Sequence, residues 1–217
     1  MLTSLNEIEM TVWKAARGAG LSWGLAEEMA QAARWLADRG FAWAEPLVAC
    51  LAEVESRQGR LPVPVLSDGV WSPPLGASSV SAALAGPLLS DFAAEIAPDA
   101  PLRLRQVGQP ILLLPFAART AAADPGRDLV LTLGDARYSC LRSELCGPAQ
   151  FEPIALADVS LSIGSTDDII RITLGATHAA VPEAAEAALE RWVHRTYVPA
   201  TAESRLAGAG AGLTDND

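Results

Sequence analysis

The chain has 217 residues, 50% of them apolar and 19% charged, with a formal net charge of -10 and a pI near 4.7. That composition buries enough apolar surface for a globular fold and excludes an intrinsically disordered one. With 26 acidic against 16 basic side chains, its mean field repels phosphate backbones and anionic headgroups, so neither nucleic acid nor a membrane is an expected partner.

The opening residues lack the basic and apolar regions of an export signal, and cytoplasmic residence is the expectation. Ser4-Leu5-Asn6-Glu7 has the S-x-x-E form of a capping box, which predicts a helix with Leu5, Ile8, Val12 and Ala15 on one face. Gly18 and Gly20 follow where a left-handed stop belongs. Ser22 caps a second helix with the stripe Leu25, Met29, Ala32, Ala33 and Leu36, ending at Gly40. A third helix covers 44–56. Residues 1–58 therefore read as an N-terminal helical unit, and 59–217 as an α+β part packed against it in one compact domain.

Prolines 62, 64, 73 and 74 make 59–78 a long ordered connection or a short irregular strand. The alanine- and leucine-rich stretch 79–96 is a helix that Gly86-Pro87 should kink or divide. From there the pattern turns to short Val-, Ile- and Leu-rich runs at 102–107, 111–118, 129–133, 136–141, 154–163 and 169–174, read as strands. Ile111-Leu112-Leu113-Leu114, bracketed by Pro110 and Pro115, is the longest aliphatic run and falls far short of the ~20 residues of a membrane helix. Gly134-Asp135 predicts a tight hairpin, and alternation puts Arg103 and Arg105 on one face. Pro182 opens a last helix, with Ala185, Leu189, Trp192 and Val193 inward, and Pro199 closes it. The expected fold class is α+β: an N-terminal helical unit, a mostly antiparallel sheet, and a C-terminal helix with an ordered Gly-rich tail.

Metal and cofactor chemistry find little support, and no cofactor is expected. Cys50, Cys140 and Cys146 stand at no C-x-x-C interval and read as reduced core thiols; His178 and His194 are not spaced as ligands. Asp167, Asp168, Asp215 and Asp217 offer oxygen ligands to a divalent cation, but acidic turns and tails are common in so acidic a chain. Ser78 and Ser79 precede a predicted helix and read as caps rather than nucleophiles, and Lys14, the sole lysine, as a solvated side chain.

Two clusters carry the functional reading. The Gly-bearing turn between the first two helices holds Arg17, Trp23 and Glu27, a guanidinium, an indole and a carboxylate beside free helix N-terminal amides. Such a turn suits a small carboxylate, or else Arg17 pairs with Glu27 while Trp23 packs. At the other end, Arg195, Tyr197 and Arg205 add anion contacts, and Gly208, Gly210 and Gly212 let the tail approach a pocket wall or another subunit closely.

The strings Ser4 to Glu9, Ala15 to Glu28, and Arg195-Thr196-Tyr197-Val198-Pro199-Ala200-Thr201 through Asp217 resemble a family of small bacterial proteins known only as a domain of unknown function. The resemblance covers the whole length. It implies no activity, cofactor or catalytic residue.

The expectation is then a protein that binds a small anionic, carboxylate-bearing metabolite where the first helical turn meets the tail, as an enzyme of hydrolase or lyase type. Arg17 and Arg195 would clamp the carboxylate, Trp23 would pack on its apolar part, Glu27 would move the proton, and Tyr197, Arg205, Gly208, Gly210 and Gly212 would close the site. The alternative is a non-catalytic interaction subunit, a homodimer or part of a hetero-oligomer, whose tail docks into a partner chain.

Overall fold

A capping box starts the first helix. A short strand β1 (Leu2–Ser4) runs straight into α1 (Leu5–Ala19), where the Ser4 hydroxyl accepts from the Glu7 N–H at 3.3 Å and the Glu7 carboxylate accepts from the Ser4 N–H at 3.0 Å. The computed structural model describes residues 2–124, 126–142, 144–148, 154–165, 170–172 and 175–197. The predicted Gly-rich tail, with Arg205, Gly208, Gly210 and Gly212, lies outside the described residues, as do Asp167, Asp168, Asp215, Asp217 and Pro199.

Gly20 ends α1 with φ 114°, a conformation that L side chains rarely adopt, and the chain reverses into α2 (Trp23–Asp38), capped by Ser22. Helix α3 (Ala44–Ser56) follows. Strands β2 (Val65–Ser67) and β3 (Val70–Ser72) form a small hairpin within the predicted irregular stretch. Helix α4 (Ala82–Asp91) runs on through Gly86-Pro87 as one element, with Pro87, the sixth of its ten residues, forgoing the one hydrogen bond its N–H would have made to the Ala83 carbonyl. Ser81, not Ser78 or Ser79, occupies its N-cap position.

The run 111–118 is a correction. Pro110–Leu113 form a 3-10 turn that continues into α5 (Leu114–Ala123), and residues 111–117 are all buried. An apolar run with no polar alternation does not distinguish a buried strand from a buried helix, and Pro110 and Pro115 sit in the first turns, where a missing N–H costs little.

The remaining strands are β4 (Leu102–Gly108), β5 (Leu129–Leu133), β6 (Ala136–Cys140), β7 (Leu145–Cys146), β8 (Leu156–Ile163), β9 (Arg171–Ile172) and β10 (His178–Ala180). They build an eight-stranded sheet in the order β2-β3-β4-β8-β5-β6-β7-β9, antiparallel except for β3 beside β4. Strands β1 and β10 form a separate antiparallel pair. Alternation on β4 buries Leu102 and Leu104 and exposes Arg103 and Arg105, as the sequence predicts. The hairpin β5-β6 turns at Gly134, φ 58°.

Helix α6 (Glu183–Val193) closes the chain of elements, with Ala185, Leu189, Trp192 and Val193 buried and Pro182 in the N-cap position. The fold is α+β. A single apolar cluster extends from Ile8 and Val12 on α1 through Leu112 and Leu131 to Leu189 and Trp192 on α6. The three cysteines are free and buried, and burial pushes the Cys50 thiol up to about 11 and Cys140 to about 12, so both stay protonated near neutral pH.

Candidate functional site

The first helical turn brings Arg17 and Trp23 together. The guanidinium lies 5.1 Å from the Trp23 ring centroid and donates from Nη1 to the Leu21 carbonyl, and Trp13 meets Trp23 edge-on at 5.0 Å. Glu27, on the exposed side of α2, forms no ion pair with Arg17, whose hydrogen-bond acceptor is backbone. The turn is thus closed by its own groups.

Arg195 is engaged elsewhere. Its Nη2 pairs with the Glu55 carboxylate, which Arg191 approaches at 3.6 Å, so this cluster braces α3 against the end of α6. The Arg195 hydrogen bond holds the Glu55 carboxyl below its ordinary range. Tyr197, half exposed, stands edge-on to His194 at 5.6 Å, with the Lys14 ammonium over its ring at 5.6 Å.

Helices α1 and α6 enclose a cavity of about 440 Å³, a size typical of small-ligand sites. Ile8, Trp43, Leu189 and Val193 are its buried apolar lining, and Thr3, Thr11, His194 and Tyr197 its more exposed part. Three carboxylates, Glu7, Glu186 and Glu190, line it, and no lysine or arginine among the described residues does. Glu7 is also the capping-box carboxylate, and its hydrogen bonds to Ser4 hold it below its ordinary range. Glu186 and Glu190 stand one turn apart on α6, a spacing at which like charges repel by about 0.2–0.5 kcal/mol. Among the described residues no group of three His, Cys, Asp or Glu is placed to hold a metal ion. The arrangement offers diffuse negative charge over an apolar, aromatic wall, which suits a cationic head attached to an apolar body.

Residues 3–70 match the model of a family described as a protein of unknown function (DUF3726). The DUF3726 segment takes in the capping box, the Arg17 turn, and Glu7, Ile8, Thr11 and Trp43 of the cavity wall, but not the C-terminal string from Arg195. No curated protein matches the chain.

Of the expected site residues, Tyr197 lines the cavity, whereas Arg17, Trp23, Glu27 and Arg195 do not. Sequence reasoning missed Glu186 and Glu190. The signal was a pair of glutamates at i, i+4 with no basic residue between them.

Glu7 and Glu55 both have depressed carboxyl pKa values in the fold, so each contributes stability above the ordinary value of 4.5 that is lost as pH falls below it. Denaturant titrations are expected to show stability declining from about pH 4.5 downward, with a shallower decline in Glu55→Gln. An equally steep decline in that variant would remove Glu55 as a source.

Proposed function

We propose that this chain binds a small organic cation, an amine attached to an apolar body, in the cavity between α1 and α6. The observation that carries the reading is the lining itself: three carboxylates beside one imidazole, His194, with no lysine or arginine among the described lining residues, over Trp43 and aliphatic side chains. A cation here relieves the repulsion between Glu186 and Glu190. Arg17 and Arg195, by contrast, do not line this cavity and donate to the Leu21 carbonyl and the Glu55 carboxylate. Hydrolase or lyase chemistry centred on Glu27 has no place in this reading, because Glu27 does not line the cavity.

Calorimetric titration with 2-phenylethylamine, beside the neutral 2-phenylethanol, tests it. The amine should bind saturably, and the double variant Glu186→Gln, Glu190→Gln should weaken it by about tenfold or more. Equal binding of the alcohol, or an unaffected double variant, would defeat the reading.

A second reading, the interaction subunit, draws on one observation. The edge strand β2 exposes Val65 and Leu66, and Val63 and Leu75 nearby are also exposed, an apolar edge of the kind that pairs with another chain. Light scattering should then give a dimer that Leu66→Lys converts to a monomer; a monomeric parent protein ends this alternative. Among the described residues no helix is long and apolar enough to cross a membrane.

A further inference from the structure

A second cavity, of about 310 Å³, lies beside α2, α5 and β7, and three guanidiniums from separate parts of the chain line it: Arg39 at the end of α2, Arg119 on α5 and Arg142 just beyond β6. Arg39 and Arg119 each have a carboxylate partner, Asp38 at 3.1 Å and Glu28 at 2.5 Å, whereas Arg142 has none among the described residues, so one positive charge at this hollow is uncompensated. The carboxylate among the described lining residues, Glu144, is already paired with Arg171 at 3.1 Å.

Each arginine has a structural role that leaves capacity over. Arg39 lies 3.8 Å from the Trp35 ring centroid and donates from Nη1 to the Trp35 carbonyl at 3.2 Å and to Asp38 at 3.1 Å. Arg119 donates to Gln31 at 2.6 Å and to Glu28 at 2.5 Å. A guanidinium carries five N–H donors, so these contacts leave donors unused on both. Arg142 is exposed at the cavity and makes no hydrogen bond or ion pair with any described residue. Trp35, Leu145 and Ile172 are the larger apolar side chains of the lining, with the Arg39 guanidinium on the Trp35 ring.

We propose that this cavity binds a small carboxylate with an apolar body, the carboxylate meeting Arg142 and the unused donors of Arg39 and Arg119, and the body lying against Trp35, Leu145 and Ile172. The planar guanidinium fork matches a carboxylate in two parallel hydrogen bonds, and an apolar wall favours an organic acid over a bare inorganic anion. Arg39 adds a reason of its own. Its side chain is 15% exposed, and burial pulls its pKa down by more than the neighbouring Asp38 carboxylate restores, so a second anion beside it is favourable. None of the residues lining this cavity lines the one between α1 and α6, so either site can fail without the other.

Calorimetry of the full chain with 3-phenylpropionate, its neutral amide 3-phenylpropionamide, and inorganic phosphate decides the matter. The carboxylate is expected to bind saturably and the amide about tenfold more weakly or worse. Arg142→Gln, a change at an exposed side chain whose fold is checked by circular dichroism, should weaken the carboxylate by a similar factor, and Arg103→Gln, on an exposed position of β4, should leave it unchanged. Absence of saturable binding, equal affinity for the amide, full affinity in Arg142→Gln, or phosphate binding more tightly than the organic acid would each overturn the proposal.

Discussion

Replacing Trp192 by alanine is expected to cost about 3–5 kcal/mol, the range for emptying a large aromatic site in a packed core. The indole is fully buried and is the largest of the fully buried side chains. Its loss leaves a void where α6 packs against α1 and α3. At about 2–4 °C per kcal/mol for a chain of this size, the melting temperature should fall by roughly 6–20 °C. Urea unfolding with an unchanged slope and a lower midpoint is the check, with Trp192→Phe recovering most of the loss. Because Leu189 and Val193 on the same helix line the α1–α6 cavity, amine affinity should fall in parallel. A Trp192→Ala protein within 1 kcal/mol of the parent would mean that α6 contributes little to the fold.

The second large effect is at Gly18, where α1 passes closest to α6. A Cβ placed there would sit 1.9 Å from the Trp192 carbonyl oxygen and 2.7 Å from its carbonyl carbon. These are backbone atoms, which cannot rotate away as a side-chain tip can. Gly18→Val must therefore push the helices apart, at a cost of about 1–3 kcal/mol or more from overpacking. Gly18→Ala gains up to about 1 kcal/mol of helix propensity and should still come out destabilised. Gly24, near the start of α2, gives the opposite sign. Nothing lies within 4 Å of a Cβ built there, so Gly24→Ala should stabilise by about 0.4–1 kcal/mol. Gly18 and Gly24 variants moving the same way in thermal unfolding would contradict this account of the helix crossing.

The sequence marked Gly18 and Gly20 together as the helix stop; Gly20 makes it, whereas Gly18 lies inside α1 and lets α6 pass at backbone distance. Arg17 and Trp23 were legible as a pair because both belong to one short turn, where separation along the chain limits separation in space. Arg17 and Arg195 were not legible as competitors for internal partners. Leu21 is four residues from Arg17 and Glu55 is 140 residues from Arg195, and only packing decides that these acceptors are the ones in reach. Glu186 and Glu190 show the same limit: the like-charge pair was visible, but not that Glu7, far away in the chain, would join them around one cavity.

By itself the sequence determined what local physics controls. The capping box at Ser4 and Glu7, the amphipathic stripes of α1, α2 and α6, the alternation of β4 and the hairpin at Gly134 all follow from periods and turn chemistry acting within a few residues. Tertiary structure decided the rest, beginning with 111–118, where an uninterrupted apolar run carries no period and burial on every side took the helical form. It also decided the strand order, because pairing β4 with β8 and β8 with β5 depends on which apolar faces meet the helices. Finally it sorted the charges, gathering acidic side chains around one hollow and guanidiniums around another, because side chains distant along the chain become neighbours only once the core has packed.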